Sequence, residues 1–243
     1  DLERVFRLVL QETADVEAVL SLLRRDPTVE WAEPDYLATM ATLPDDPLFS
    51  QEWHLHNTGQ YRLLDADLDA PEAWDITTGS ATVTIAVLDT GVDLGHPDLD
   101  DRIWTSMGET PGNGLDDDGN GYVDDAYGWD FVNGDSYPQD DNGHGTHVAG
   151  VVAAETNNAL GVAGVDWHAR IMPLKVLGSD GKGSYSALAA AVVYAAEKGA
   201  EIINMSLGGY ADSFTLREAP LNAYATSALV GAAGNDAPGT PYY

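Results

Sequence analysis

"TVTIAVLDTG" (Thr82–Gly91) is a near-continuous apolar run that ends in Asp-Thr-Gly. Runs of this kind are strands covered on both faces, the pattern of a parallel sheet. Working outward, "GTHVAGVVAAET" (Gly145–Thr156) reads as a helix rich in alanine and valine. "ARIMPLKVLG" (Ala169–Gly178) reads as a strand. "SYSALAAAVVYAAEKGA" (Ser184–Ala200) reads as a helix with Lys198 in its last turn and Gly199 near its C-cap. "EIINMSLGG" (Glu201–Gly209) and "SALVGAAGN" (Ser227–Asn235) read as further buried strands. Strand and helix in alternation predict an α/β fold, a mostly parallel sheet with helices on both faces. Functional groups in such sheets gather at the carboxyl ends of strands. Asp89, Ser206–Gly209 and Asn235 all fall there.

The 243 residues suffice for one sizeable domain with a small appendage. Eleven basic against forty acidic residues give a formal charge of −29, which argues against nucleic acid or an anionic membrane as partner. The absence of cysteine excludes a disulfide scaffold and thiolate metal sites. No stretch approaches the ~18 apolar residues of a membrane span, and no signal peptide is visible.

At the N-terminus, "RVFRLVL" (Arg4–Leu10) reads as a strand and "ADVEAVLSLLRRD" (Ala14–Asp26) as a helix with Thr13 as candidate N-cap. "TVEWAEPDYLATM" (Thr28–Met40) alternates as a second strand. This β-α-β unit is too small to bury a core of its own. "TLPDDPLF" (Thr42–Phe49) reads as a linker, so the expected domains are 1–43 and 44–243.

"DDNGHGTHVAG" (Asp140–Gly150) carries His144 and His147. Taken singly, Asp89 reads as a turn aspartate, Asn235 as a turn residue, and either histidine as a hydrogen-bonded core or cap residue. A shared metal at His144 and His147 is weak, since helical zinc pairs are spaced four apart with a glutamate beside the first. "LDDDGNGYVDD" (Leu115–Asp125) has the oxygen-rich spacing of a calcium loop. Asp116, Asp118 and Asn120 alternate, Gly121 permits a turn, the Tyr122 carbonyl is available, and Asp124 or Asp125 could complete the set. Tyr127 stands where an EF-hand has its glutamate, and a solvated acidic turn is the alternative.

Together, "VLDTGVDLGHPDL" (Val87–Leu99), "NGHGTHVAG" (Asn142–Gly150), "KVLGSDGKGSYS" (Lys175–Ser186), "INMSLGG" (Ile203–Gly209) and "GAAGN" (Gly231–Asn235) resemble the subtilisin-like serine proteases, the subtilase or peptidase S8 family. The resemblance implies a three-layer subtilisin-like fold and a Ser-His-Asp triad. Asp89 would orient His144, His144 would be the general base, and Asn235 would donate to the oxyanion. Gly183, Ser184 and Tyr185, with Ser206, Leu207, Gly208 and Gly209, would form edge strands that pair with an extended peptide. His147 would be a buried structural residue. The family's Gly-Thr-Ser-Met-Ala motif is absent. "WTSMGE" (Trp104–Glu109) holds Thr-Ser-Met in the wrong order and without the glycine. The expectation is a fragment that ends before the nucleophile and is inactive as it stands. The other reading is a non-catalytic calcium-binding or adhesion module.

The resemblance also implies a second calcium site from Asp46, Asp98 and Asn158, with Thr156, Leu160 and Val162 in "TNNALGV". "RRDPTVEWAEPDYLATM" (Arg24–Met40) is similar to the C-terminal half of an inhibitor I9-type propeptide, an α+β remnant that would act as intramolecular inhibitor. Cleavage is expected between Tyr36 and Asp45. A secreted, monomeric endopeptidase zymogen with protein substrates is thereby implied.

Overall fold

The structure is a computed structural model that describes residues 5–11, 13–35 and 43–235. The chain divides into two compact units, Asp1–Met40 and Ala41–Tyr243.

The first unit contributes one helix, α1 (Val16–Leu23). Its N-cap is Asp15, not Thr13; the Asp15 side chain accepts from the Ala18 amide. The expected flanking strands are not formed among the described residues. An apolar/polar alternation needs a ladder partner to become a strand. Phe6 and Val9 are exposed, and the Arg7–Asp35 ion pair and the Arg24 bond to the Ala32 carbonyl are the unit's links around the helix. The proposed cleavage interval falls largely in 36–42, outside the described residues.

The second unit carries β1 (Thr84–Asp89), β2 (Trp129–Asp130), β3 (Arg170–Lys175), β4 (Ile202–Met205) and β5 (Ala228–Gly231) in the order β2-β3-β1-β4-β5, all parallel. β1 lies at the centre and pairs Asp89 with Lys175 on one side and Val87 with Asn204 on the other. Its alternate residues feed two cores. Ile85 and Val87 pack with Ile171, Ala149 and Ala153 of α3 (His144–Ala153). Ala86 and Leu88 pack with Met172, Leu174 and the buried face of α4 (Tyr185–Glu197). Hence the helices lie on both faces, as the unbroken apolar run demands. A short α2 (Ala70–Trp74) closes a third cluster of Phe49, Leu55, Trp74, Ala163 and Trp167.

β5 departs from expectation. It is largely exposed, with Val230 at 51%; among the described residues it is the edge strand, paired on one side by β4. The mixed polar and apolar sequence over α5 (Phe214–Ala223), with Pro220 inside it, does not advertise a helix, yet α5 packs on α4. The order of β1 between β3 and β4 makes the carboxyl end of β1 a switch point, where chain connections leave to opposite sides.

Candidate active site

Asp89 is the last residue of β1 and is fully buried. His144 is the first residue of α3, and its side chain is half exposed. The His144 Nδ1 lies 2.8 Å from Asp89 Oδ1 and 2.9 Å from Oδ2. A carboxylate only accepts, so Nδ1 carries a proton, and in the neutral imidazole Nε2 is then the nitrogen with the free lone pair. Nε2 has no hydrogen-bond partner among the described residues. The Thr90 amide donates to Asp89 Oδ1 at 2.7 Å, a second partner for a charge that would be costly to bury bare.

Two glycines make the approach possible. Gly143, with φ +104°, turns the chain into α3 in a conformation that side chains avoid. Gly145 lies against β1: a Cβ there would stand 2.0 Å from the Gly91 carbonyl oxygen and 3.1 Å from Asp89 Cβ. The capping side chain comes from Asp140, which accepts from the Asn142, Gly143 and Thr146 amides and from the Thr90 and Thr146 hydroxyls. Burial alone would raise the Asp140 pKa. The bonds from Gly143, Thr146 and Asn142 outweigh that and hold it at about 2. Lys175, opposite Asp89 in the ladder, is the largest fully buried side chain. Its ammonium donates to the Thr90 and Leu177 carbonyls and to Asp141 Oδ1.

His144 opens on a cleft of about 520 Å³ that is lined by Thr90, Gly183, Ser184, Tyr185 and Ser206–Gly209 among others. All seven residues expected along the substrate therefore share one cavity with the imidazole. They are not strands. Ser184 is the N-cap of α4, Tyr185 its first residue, and Ser206–Gly209 a segment of no regular structure directly after β4. The Tyr185 hydroxyl accepts from the Ala211 amide. Asn235 lies four residues past β5, exposed, and does not line the cleft. His147 is exposed rather than buried, and it lies close enough to His54 to add to the burial that lowers the His54 pKa. Ser106 sits by Lys198, away from His144, so Thr-Ser-Met is a loop segment.

The acidic stretches sort differently. Asp116 accepts from the amides of Gly119, Asn120 and Gly121, and Asp124 from those of Asn113 and Gly114. The carboxylates that converge are Glu109, Asp118 and Asp125. One Glu109 oxygen accepts from the Asp117 and Asp118 amides; the other is buried and unpartnered. The Asn120 side chain bonds Asp125, and the Tyr122 ring packs on Trp129 and Tyr194. Lys198 places its ammonium on Asp118 and Asp125. Burial opposes that charge, but the two carboxylates prevail and raise its pKa.

At the second site, Asp46, Asp98 and Asn158 do meet. The Asn157 amide donates to Asp46 at 2.9 Å, and the Asn158 side chain and the Val162 amide donate to Asp98 at 2.8 and 3.0 Å. The Leu160 amide donates to Asn158 Oδ1, and the Thr156 hydroxyl accepts from the Gly164 amide. Glu52 lies beside them, buried, with its pKa raised to about 7 by desolvation and by the charges of Asp46 and Asp98. Sequence reasoning missed Glu52, Glu109, Asp140 and Lys175. Of these, Lys175 had a visible signal, a lone charge inside the apolar run "IMPLKVLG".

The Subtilase family profile matches residues 80–243. The chain belongs to the subtilase family. The subtilase chain is 39% identical over 232 residues to a thermophilic serine proteinase of Bacillus sp. (strain AK1), covering 95% of this chain and 50% of that protein. It is 40% identical over 204 residues to thermitase of Thermoactinomyces vulgaris, covering 82% of this chain and 62% of that one. Among solved structures, a protease from Pseudoalteromonas arctica PAMC 21717 superposes with a TM-score of 0.63 at 32% identity, over 80% of this chain and 60% of the other. The subtilase chain thus spans about half to three fifths of the length of these relatives. Among the described residues, no helix is long and apolar enough to cross a membrane.

Proposed function

We propose that Asp89 and His144 are two members of the Ser-His-Asp triad of a secreted serine endopeptidase. The observation that carries this reading is the buried carboxylate with both oxygens on Nδ1 of a half-exposed imidazole, at the mouth of a cleft. Asp89 fixes the tautomer and stabilises the imidazolium, and Nε2 is left to take a hydroxyl proton. An extended peptide lies between Ser206–Gly209 and Gly183–Tyr185, its main chain supplying the hydrogen bonds. Asn235, at the carboxyl side of β5 and outside the cleft lining, is assigned the oxyanion on the family resemblance alone, and its side-chain amide would have to swing into the cleft to reach it. The nucleophilic serine lies in a family motif that residues 1–243 do not contain, so this stretch alone does not hydrolyse peptides.

Calcium, a hard cation that takes oxygen ligands, suits both acidic sites. Asp46, Asp98 and Asn158 would hold one ion. Glu109, Asp118 and Asp125 would join the Asp116–Asp124 loop around another; the unpartnered Glu109 oxygen supports this. Each ion would tie surface loops down and take no part in the reaction. Residues 1–43 act as an inhibitory propeptide segment. Secretion is supported by a relative named extracellular protease from Xanthomonas campestris, 36% identical over 249 residues.

The test is casein hydrolysis and fluorophosphonate labelling of the protein expressed from its whole gene. Labelling of one serine, with activity lost by several orders of magnitude in His144→Ala, is expected. A whole protein that neither labels nor cleaves is a calcium-binding module instead.

A further inference from the structure

We propose that Asp140 is the positioning residue that sets the Asp89–His144 distance, acting through Thr90 and the first turn of α3 without touching either member of the pair. The inference rests on the reading of that pair as the working half of a triad.

Asp140 reaches in two directions. Its Oδ1 accepts from the Thr90 hydroxyl at 2.8 Å and from the Asn142 and Gly143 amides, both at 2.9 Å. Its Oδ2 accepts from the Thr146 amide at 2.9 Å and the Thr146 hydroxyl at 2.6 Å. Five donors therefore converge on one carboxylate, three from the turn into α3 and its first residues, one from its hydroxyl, and one from the end of β1. Thr90 passes the constraint on. Its amide holds Asp89 Oδ1, its hydroxyl accepts from the Gly145 amide at 2.9 Å, and its carbonyl is held by Lys175 at 2.6 Å. Every polar atom of Thr90 is thus committed. Thr146 passes it on as well, since its hydroxyl accepts from the Asp93 amide.

The elements that carry Asp89 and His144 have no covalent link shorter than 55 residues. Hydrogen bonds to a charged group are shorter and about twice as strong as neutral ones. A carboxylate shared by both elements fixes their separation far more firmly than apolar packing, which tolerates sliding. Asparagine cannot replace it. The amide would present an N–H toward either the Thr90 hydroxyl and turn amides or the Thr146 amide, where only acceptors fit.

The readout is the downfield proton resonance of the hydrogen bond between His144 Nδ1 and Asp89, recorded by NMR on residues 1–243 at low temperature. We expect the resonance in the parent chain, its loss in Asp140→Asn with far-UV circular dichroism unchanged, its loss in the near-isosteric Thr90→Val, and its return in Thr90→Ser. A folded Asp140→Asn with the parent resonance overturns the proposal. Should Asp140→Asn fail to fold, a parent-like resonance in Thr90→Val overturns it equally. The resonance is read whether or not the chain hydrolyses anything, so failure of the peptidase reading leaves this result standing. A parent chain without the resonance overturns the Asp89–His144 pair itself, and the proposal with it.

Discussion

Replacing Gly145 with alanine should break the site while leaving the fold in place. The added Cβ would stand 2.0 Å from the Gly91 carbonyl oxygen, against an ordinary C···O approach of about 3.3–3.6 Å. The obstacle is backbone two residues past the end of the central strand, so, if that segment holds its place, α3 must retreat by about 1.3 Å or more at its first turn. His144 is the preceding residue. A displacement of that size along the bond would carry Nδ1 from 2.8 Å to about 4 Å from Asp89 Oδ1, beyond hydrogen-bond range. Two stability effects oppose each other. Alanine is preferred to glycine inside a helix by about 1 kcal/mol, whereas overpacking costs about 1–3 kcal/mol. The net loss is then about 0–2 kcal/mol, a fall of roughly 0–8 °C in melting temperature at this chain length. A misplacement of about 1 Å costs on the order of 10²-fold in turnover. The assays are a crystal structure of Gly145→Ala, its melting curve, and kcat of the whole protein. A variant that keeps Nδ1 within about 3 Å of Asp89 with parental turnover would refute the reasoning.

Two further outcomes follow from the acidic sites. Glu52 has its pKa raised from 4.5 to about 7, so the folded chain holds a proton that the unfolded chain has already released. Stability therefore falls as pH rises from 4.5 to about 7, on the order of 2–4 kcal/mol in all. In chelator, Glu52→Gln should gain melting temperature over the parent at pH 8 and little at pH 5; an equal gap at both would refute it. Lys198→Met removes the ammonium from Asp118 and Asp125 and leaves three carboxylates facing one another. Its melting temperature in chelator should drop by several degrees, and saturating calcium should recover more than it adds to the parent. Identical calcium increments in the two chains would count against a cation at Glu109, Asp118 and Asp125.

Much of the fold was legible because one physical pattern recurs. β1, β3 and β4 are apolar on both faces, and α3 and α4 are rich in small apolar residues, so burial alone dictated their type. β2 has two residues, and α5 mixes polar and apolar residues around an internal Pro220, so neither leaves a clear period to read. The N-terminal strands failed for a related reason. Alternation signals a half-buried strand when a neighbour exists, and none is present among the described residues of that unit. At the site, strand-end position drew attention to Asp89 and flanking glycines to His144, but the pairing of the two came from the subtilase resemblance. Asp140 and Lys175 act across elements 50 and 85 residues apart, a relation no local pattern carries. The acidic loop Leu115–Asp125 shows the limit of spacing. Asp116 and Asp124 match a ligand pattern, but backbone amides use them first, while Glu109 enters the cluster from outside the motif.

The central position of β1 has a kinetic consequence. Its edges are filled by β3 and β4, strands that emerge much later in the chain, and the Lys175–Thr90 contact closes 85 residues. Loops of that length must be closed before any reward arrives, which places this domain among slow folders. Until then the stretch Thr84–Leu88 is a bare apolar edge during synthesis, open to mispairing with other chains, and the imidazole and its acid partner can come together only in the final stages.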